Sequence, residues 1–329
     1  MSGPAASVDP AVSVVVATHE RRALLGRLVA ALEAQTWPDL EIVIVDDGST
    51  DGTWDELGRL AAAVTRPVRV LREDRAGGPA RARNRGWREA RGSIVAFTDD
   101  DCVPAPGWVE ALVAPIVAGR AELAQGVTEP PREQWEGSGP FARTMWVLDE
   151  DGFYATCNMA YRRDVLEEAR GFDERFGRPF GEDTDLAWRA IEAGARTAFV
   201  DDAVVYHEVW PSSWPAHVRD RVRREAIVLA AREHPQIRAR FWRPRWYQGS
   251  HPRAVLAAAG GIVAVTVPGW RRLSGAALAV PYVHYRLAVR RLPCRPRNTA
   301  PVIALALVAD LVEVGVLAAA SVRYRSLLL

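Results

Sequence analysis

The chain has 329 residues, 49% hydrophobic and 25% charged, enough to bury a sizeable core in one or two domains. Its 42 basic side chains against 41 acidic ones leave a formal net charge of +1, which excludes nucleic-acid binding by bulk electrostatics. Cys102, Cys157 and Cys294 match no zinc spacing and predict a reducing compartment, and MSGPAASVDP lacks the basic and apolar regions of a secretory signal, so the catalytic portion is expected in the cytoplasm.

Val12 to Ala17 is an apolar, β-branched run that reads as a strand, and Leu25, Leu28, Val29 and Leu32 follow at helical spacing. Ile42 to Val45 predicts a second buried strand, ending in Asp46 and Asp47. Trp54, Leu57, Leu60 and Val64 form another helical stripe, and Val68 to Leu71 a third strand. Pro79 suits the first turn of a helix through Ala90, where its missing N–H is not needed. Ile94 to Phe97 predicts a strand running straight into Asp99, Asp100 and Asp101. Repeated βα units imply an α/β fold with a mainly parallel sheet between helices, which binds ligands at the carboxyl ends of its strands. The Asp46–Asp47 pair and the three aspartates are therefore expected at one crevice.

From Ala121 to His207 shorter strands mix with two helices, beginning near Asp164 and Asp183. After Trp210 the character changes. Basic and aromatic residues alternate from Arg219 to Trp246, Ala254 to Trp270 carries no charge, and Ala300 to Val322 carries only Asp310 and Glu313. The expected division is a catalytic domain over residues 1–210 and a helical region over 211–329.

Three adjacent carboxylates at a strand end repel one another, and a hard divalent cation offsets that cost; an acidic loop in solvent is the alternative. Asp47 suits a base edge or ribose hydroxyls, with Gly48 allowing a tight turn, or else it belongs to an Asp-Gly turn before a helix. The amides of Gly77 and Gly78 and the guanidinium groups of Arg81, Arg83 and Arg85 suit a diphosphate, against a solvated helix face. Asp183 at a predicted helix start reads as an N-cap, where negative residues suit the helix dipole, and Asp185 and Arg189 are spaced for an ion pair. His207 ends a β-branched run. Trp210 and Trp214 suit stacking on a sugar or lipid carrier, or core packing.

The ordered set SVVVATHERR, VDDGSTDGT, GGPARARNRG, FTDDDCVP, NMAYRRDVL, GFDERF and GEDTDLAWR resembles the family 2 glycosyltransferases of the GT-A fold over most of Val12 to His207. That resemblance implies a Rossmann-like GT-A domain that moves a sugar from a nucleoside diphosphate to an acceptor hydroxyl with inversion. It places Ala17, Thr18, Glu20 and Asp47 around the nucleotide, although the family often has Asn where Glu20 stands. It places Arg83 on the diphosphate, and Asp99 and Asp101 on Mn²⁺ or Mg²⁺, with Asp99 and Asp100 also reaching the donor. It implies Asn158 as the floor of the donor site and His207 as a further metal ligand. Asp183 becomes the base that deprotonates the acceptor, with Glu182, Arg189 and Trp210 as acceptor or support residues.

The implied partners are a UDP-, dTDP- or GDP-linked sugar and a glycan, lipid-linked or small-molecule acceptor. The apolar C-terminal stretches predict association with the cytoplasmic face of the cell membrane, as interfacial helices or as a spanning hairpin. Asp310 and Glu313 on one helical face would be expensive in lipid. A sugar-phosphate nucleotidyltransferase would carry a glycine-rich start, which Val12 to Arg22 lacks. The intact acidic motifs speak against a non-catalytic sugar-nucleotide-binding scaffold.

Overall fold

The computed structural model describes residues 12–176, 181–288 and 300–329; the N-terminal decapeptide and Cys294 lie outside them. The chain forms two compact units. The first is the chain up to Pro131 with Thr144–Glu208, and the second is Arg132–Arg143 with Val209–Leu329.

Among the described residues of the first unit, eight strands make one sheet: β1 (Val12–Thr18), β2 (Leu40–Asp46), β3 (Val68–Arg72), β4 (Ile94–Thr98), β5 (Cys102–Pro104), β6 (Leu123–Glu129), β7 (Asn158–Arg162) and β8 (Thr197–His207). The order is β3-β2-β1-β4-β7-β6-β8-β5. β3, β2, β1 and β4 run parallel; β1, β2 and β4 are largely apolar, as suits strands covered on both faces, while β3 (VRVLR) is the half-buried edge. β7 runs antiparallel between β4 and β6, and β5 antiparallel beside β8, so the sheet is mixed. Thr18 pairs with Asp46 in register, which aligns the carboxyl ends of β1 and β2.

The two faces follow from the period of two. Val12, Val14 and Val16 pack with Leu25, Leu28 and Leu32 of α1 (Leu25–Glu33) and with Trp108 and Leu112 of α4 (Trp108–Val117). Between these helices come α2 (Thr53–Ala63) and α3 (Pro79–Glu89). α3 lies so close to the other face that a Cβ at Gly86 would come 2.4 Å from Val15 Cγ1. Even Gly86→Ala would therefore cost about 1–3 kcal/mol by overpacking. α6 (Arg163–Glu168) and α7 (Glu182–Glu192) complete the unit.

The second unit holds α5 (Arg132–Gly137), α8 (Trp214–Arg221), α9 (Glu225–Glu233), α10 (Ser250–Thr266), α11 (Arg272–Ala288) and α12 (Ala300–Tyr324). α12 is long and apolar enough to cross a membrane, yet its two carboxylates are buried within this unit. Glu313 lies 2.6 Å from Arg221 and 2.7 Å from Arg224, and Asp310 accepts from the Tyr282 hydroxyl at 3.0 Å and from Arg286. The acidic face of α12 thus meets guanidinium groups of its own unit.

Candidate active site

Three loops converge at the carboxyl ends of β1, β2 and β4. Gly48 has φ +68°, and a Cβ there would lie 2.7 Å from the Ala76 nitrogen, so the turn after β2 sits directly against the loop before α3. The amides of Gly77 and Gly78 each donate to one Asp47 oxygen at 2.8 Å. These amides were expected on a diphosphate; Asp47 takes them instead and keeps further lone pairs on both oxygens. The Asp47 amide donates to the Thr18 carbonyl, and its own carbonyl accepts from His19 Nδ1 at 2.8 Å. Thr18 is buried and Ala17 half-buried at the end of β1. Glu20, at φ +55°, turns its carboxylate onto the Thr50 amide at 2.7 Å and the Thr50 hydroxyl at 2.9 Å. These contacts tie the first loop to the second.

The three aspartates after β4 fan out to different partners. Asp99 Oδ1 accepts from Arg83 at 2.7 Å. Asp100 faces Arg21 Nε at 3.6 Å and the His19 amide at 3.4 Å. Asp101 Oδ1 lies 3.5 Å from His207 Nε2. Protein groups therefore offset part of the repulsion that the sequence alone assigned to a metal.

Arg83 is the centre of the arrangement. Its buried guanidinium also reaches Glu182 Oε1 at 3.1 Å and Asp183 Oδ1 at 3.4 Å. Burial works against its charge, but Asp99, Asp183 and Glu182 together outweigh that and push its pKa above the ordinary arginine value. Arg83, expected on the diphosphate, joins the acidic loop to the start of α7. Arg81 and Arg85 turn the other way and share Glu73.

Gly181, with φ +97°, is the N-cap of α7, and no side chain caps that end. Asp183 is thus released from capping. Its Oδ2 accepts from the Thr156 amide at 2.9 Å, and its side chain stays 22% exposed. Sequence reasoning missed Thr156 because a backbone donor leaves no residue-type signal. Arg21, also missed, was legible only as part of the HERR run.

Other expected residues take structural places. Asn158 is buried, both its N–H groups donate to the carbonyls of Val127 and Ala203 at 2.8 Å, and its oxygen accepts from Trp108 Nε1 at 2.8 Å. These bonds tie β7 to β6, β8 and α4. Asn158→Ala is expected to destabilise by about 1–3 kcal/mol, because three buried partners lose their bonds; urea unfolding measures this. Arg189 pairs with Asp185 at 2.7 Å and donates to the Ala169 and Gly171 carbonyls, holding the turn after α6. Trp210 falls in the second unit, where its backbone pairs with that of Arg143.

The donor atoms at the end of β8 fit a divalent cation. Asp101, Cys102 and His207 offer ligand atoms within 4.8 Å of one another. The Glu208 carbonyl, 2.9 Å from His207 Nδ1, can only accept, so Nδ1 donates there and Nε2 is the ring nitrogen that faces Asp101. Burial pushes the Cys102 thiol well up, and the oxygen and nitrogen donors of Asp101 and His207 suit a divalent cation. The structure thus assembles Asp101 with His207, while Asp99 is engaged by Arg83.

Asp100 carries a pH signature. Burial first, then the charges of Asp101 and Asp99, push its carboxyl up to about 7 against Arg21 and Thr18. The native state therefore holds this proton longer than the unfolded chain does. The resulting stability is complete below the ordinary value of 3.8 and is lost as pH rises through about 7. Thermal unfolding without added cation should show a falling midpoint across that window, and Asp100→Asn should flatten the fall.

A mixed α/β sheet whose central strands gather acidic loops at their carboxyl ends against a buried arginine forms a candidate active site. The chain belongs to glycosyl transferase family 2: that family's model matches residues 13–170, and the model described as glycosyl transferase family group 2 matches residues 94–309. It is 28% identical to glycosyltransferase AglE of Haloferax volcanii over 214 residues, 62% of this chain and 69% of that protein. It is 32% identical to the pre-mycofactocin glycosyltransferase of Mycobacterium tuberculosis over 211 residues, 60% of this chain but 42% of that protein. A validoxylamine A glucosyltransferase of Streptomyces hygroscopicus is 29% identical over 72% of this chain and 64% of its own length. In fold, the chain is similar to the mannosyltransferase PcManGT from Pyrobaculum calidifontis, solved with GDP-Man and Mn²⁺: TM-score 0.65 at 22% identity, covering 93% of this chain and 87% of that one.

Proposed function

We propose that this glycosyltransferase is inverting and cation-assisted, with Asp183 as its general base. The observation that carries the reading is the shared contact of Arg83 with Asp99 and Asp183, which brings motifs from α3, β4 and α7 to one point. The acceptor oxygen attacks the anomeric carbon on the face opposite the diphosphate. As that C–O bond forms, the bond from the anomeric carbon to the phosphate oxygen breaks and its electron pair leaves with the nucleoside diphosphate. The acceptor proton passes to an Asp183 oxygen.

Thr156 and Arg83 orient that carboxylate. Asp101 and His207 would hold Mn²⁺ or Mg²⁺, with Asp100 beside them. A bound cation would offset the charge that builds on the departing diphosphate. Asp47, Ala17, Thr18 and Glu20 shape the loops around the nucleotide. PcManGT with GDP-Man and TarS of S. aureus with UDP-GlcNAc are fold neighbours with such donors, which supports a UDP-, dTDP- or GDP-linked sugar here.

The first unit with its edge site is read as the catalytic domain. The second unit, apolar and arginine-rich, is read as holding it at the cytoplasmic face of the cell membrane, where a lipid-linked or glycan acceptor for envelope polysaccharide or glycolipid is available. Screening UDP-, GDP- and dTDP-sugars with Mn²⁺ for nucleoside diphosphate release, followed by NMR of the product's anomeric configuration, tests the proposal. Retention of configuration, or no binding of any donor, overturns it.

A further inference from the structure

We infer that the α10–α11 hairpin, and not the longer and more apolar α12, is the element that enters the lipid bilayer, and that the bilayer it selects is anionic. The inference rests on the membrane-associated reading above and names its contact surface.

The hairpin is built inside out for a protein in water. Its two helices meet through small residues: a Cβ on Gly260 would lie 2.3 Å from the Gly275 carbonyl oxygen, and one on Gly275 2.7 Å from the Ala264 nitrogen. Its large apolar side chains face outward instead, with Ile262 65%, Val265 87%, Trp270 78%, Leu273 66% and Val280 61% exposed. Water favours the reverse, with the apolar stripe turned to the partner helix. Small residues between helices and large ones outside is the packing expected where lipid tails are the solvent. The one hydroxyl near the end of α10, on Thr266, donates to the Ile262 carbonyl at 2.8 Å within its own helix, as a dry environment requires.

Length and ends set its depth. Each helix has seventeen residues, but the uncharged part of α11 covers only about 16 Å at 1.5 Å per residue, too short to cross the roughly 30 Å hydrocarbon layer, so the hairpin lies in the interface with its outward apolar side chains in the acyl layer. The uncharged stretches, Ala254 to Trp270 and Leu273 to Val283, are bounded by Arg253 at one end and by Arg271 and Arg272 at the turn between the helices, so both ends suit the headgroup layer. At the open end of the hairpin, Arg253 packs over the Trp242 and Tyr285 rings at 5.1 and 4.9 Å. Beside it, Trp242, Arg243, Pro244, Arg245, Trp246 and Pro252 line a cleft of about 460 Å³. Arginine and tryptophan together suit the headgroup layer.

The sign of the partner comes from the sequence around these elements. Between Glu233 and Asp310 there are 12 arginines and no Asp or Glu, in a chain whose net charge is only +1. Such a block attracts anionic headgroups at close range. α12 is excluded from the role because its carboxylates are satisfied by Arg221, Arg224 and Arg286 inside the unit.

Flotation of the full chain on vesicles of phosphatidylglycerol and phosphatidylethanolamine, against phosphatidylcholine alone, tests this. The wild type should float with the anionic vesicles and far less with the neutral ones. The double variant Ile262→Glu, Val265→Glu changes only solvent-facing positions, so its circular dichroism melt should match the wild type. Its bound fraction should fall by about tenfold or more, because each carboxylate is costly in hydrocarbon. Val322→Glu, at an equally exposed site on α12 (81%), should float normally. Normal flotation of the hairpin variant, loss of flotation in Val322→Glu, or equal binding to neutral vesicles overturns the inference while leaving membrane association intact. A wild type that floats with neither vesicle overturns both.

Discussion

Asp183→Asn is expected to lower kcat by about 10²–10⁴-fold, the usual contribution of a positioned proton acceptor, with little change in the KM for the sugar nucleotide. The substitution keeps the shape of the side chain and removes its basicity. The present carboxylate accepts from two donors, the Thr156 amide at 2.9 Å and the Arg83 guanidinium at 3.4 Å. An Asn oxygen can satisfy only one of them, while its NH2 group faces the other. A small loss of stability is therefore expected beside the large loss of rate, and a thermal melt separates the two. Because the acceptor proton moves only as the new bond forms, the deficit belongs in kcat and in kcat/KM equally. Steady-state transfer assays with saturating donor decide the matter; undiminished turnover would remove Asp183 from the mechanism.

The second large effect is expected at Arg83. Arg83→Met preserves most of the buried volume and deletes the charge shared by Asp99, Glu182 and Asp183. Glu182 is 2% exposed, so its carboxylate has no access to water to compensate. Removing one side of a buried ionic contact costs about 3–5 kcal/mol, enough to consume much of the stability of an ordinary domain. The loss has a pH dependence with a definite sign. Protonating the stranded carboxylates relieves their repulsion, so the variant should approach the wild type in acid and fall away from it as pH rises. Arg83→Lys keeps a cation but lacks the planar fork that reaches two elements at once, and should fall between the two. Urea unfolding at acidic and neutral pH measures all three proteins. A Met variant within 1 kcal/mol of wild type would show that the three contacts are not coupled.

Much of the first unit was legible in the residues. Val12 to Thr18, Leu40 to Asp46 and Ile94 to Thr98 are strands of the sheet, and their short, β-branched, apolar runs mark them as such. Pro79 begins α3 as its missing N–H dictates, and Arg81 and Arg85, four apart, do share one face and one partner, Glu73. The ordered motifs carried the family, because each is a short stretch whose loop chemistry is local. The two helical carboxylates Asp310 and Glu313 were legible as costly, and that cost is why they are found buried against arginines.

What sequence could not supply was the partner of each polar atom. Whether a carboxylate faces a ligand, an amide or a guanidinium depends on which loops the sheet brings together, and those loops are far apart in the chain. Hence Gly77 and Gly78 turned out to hold Asp47, Asn158 to hold Val127 and Ala203, and Arg83 to bridge residues 16 and 100 positions away. The composition of α12 and of the α10–α11 pair likewise marked both as apolar, and only packing showed which of them keeps its large side chains outside. Residue types determined the elements, the acidic edge and the class of enzyme, since these follow from local periodicity and charge. Tertiary structure decided the pairing of charges and the outward face, since both arise from contacts between segments that no local pattern encodes.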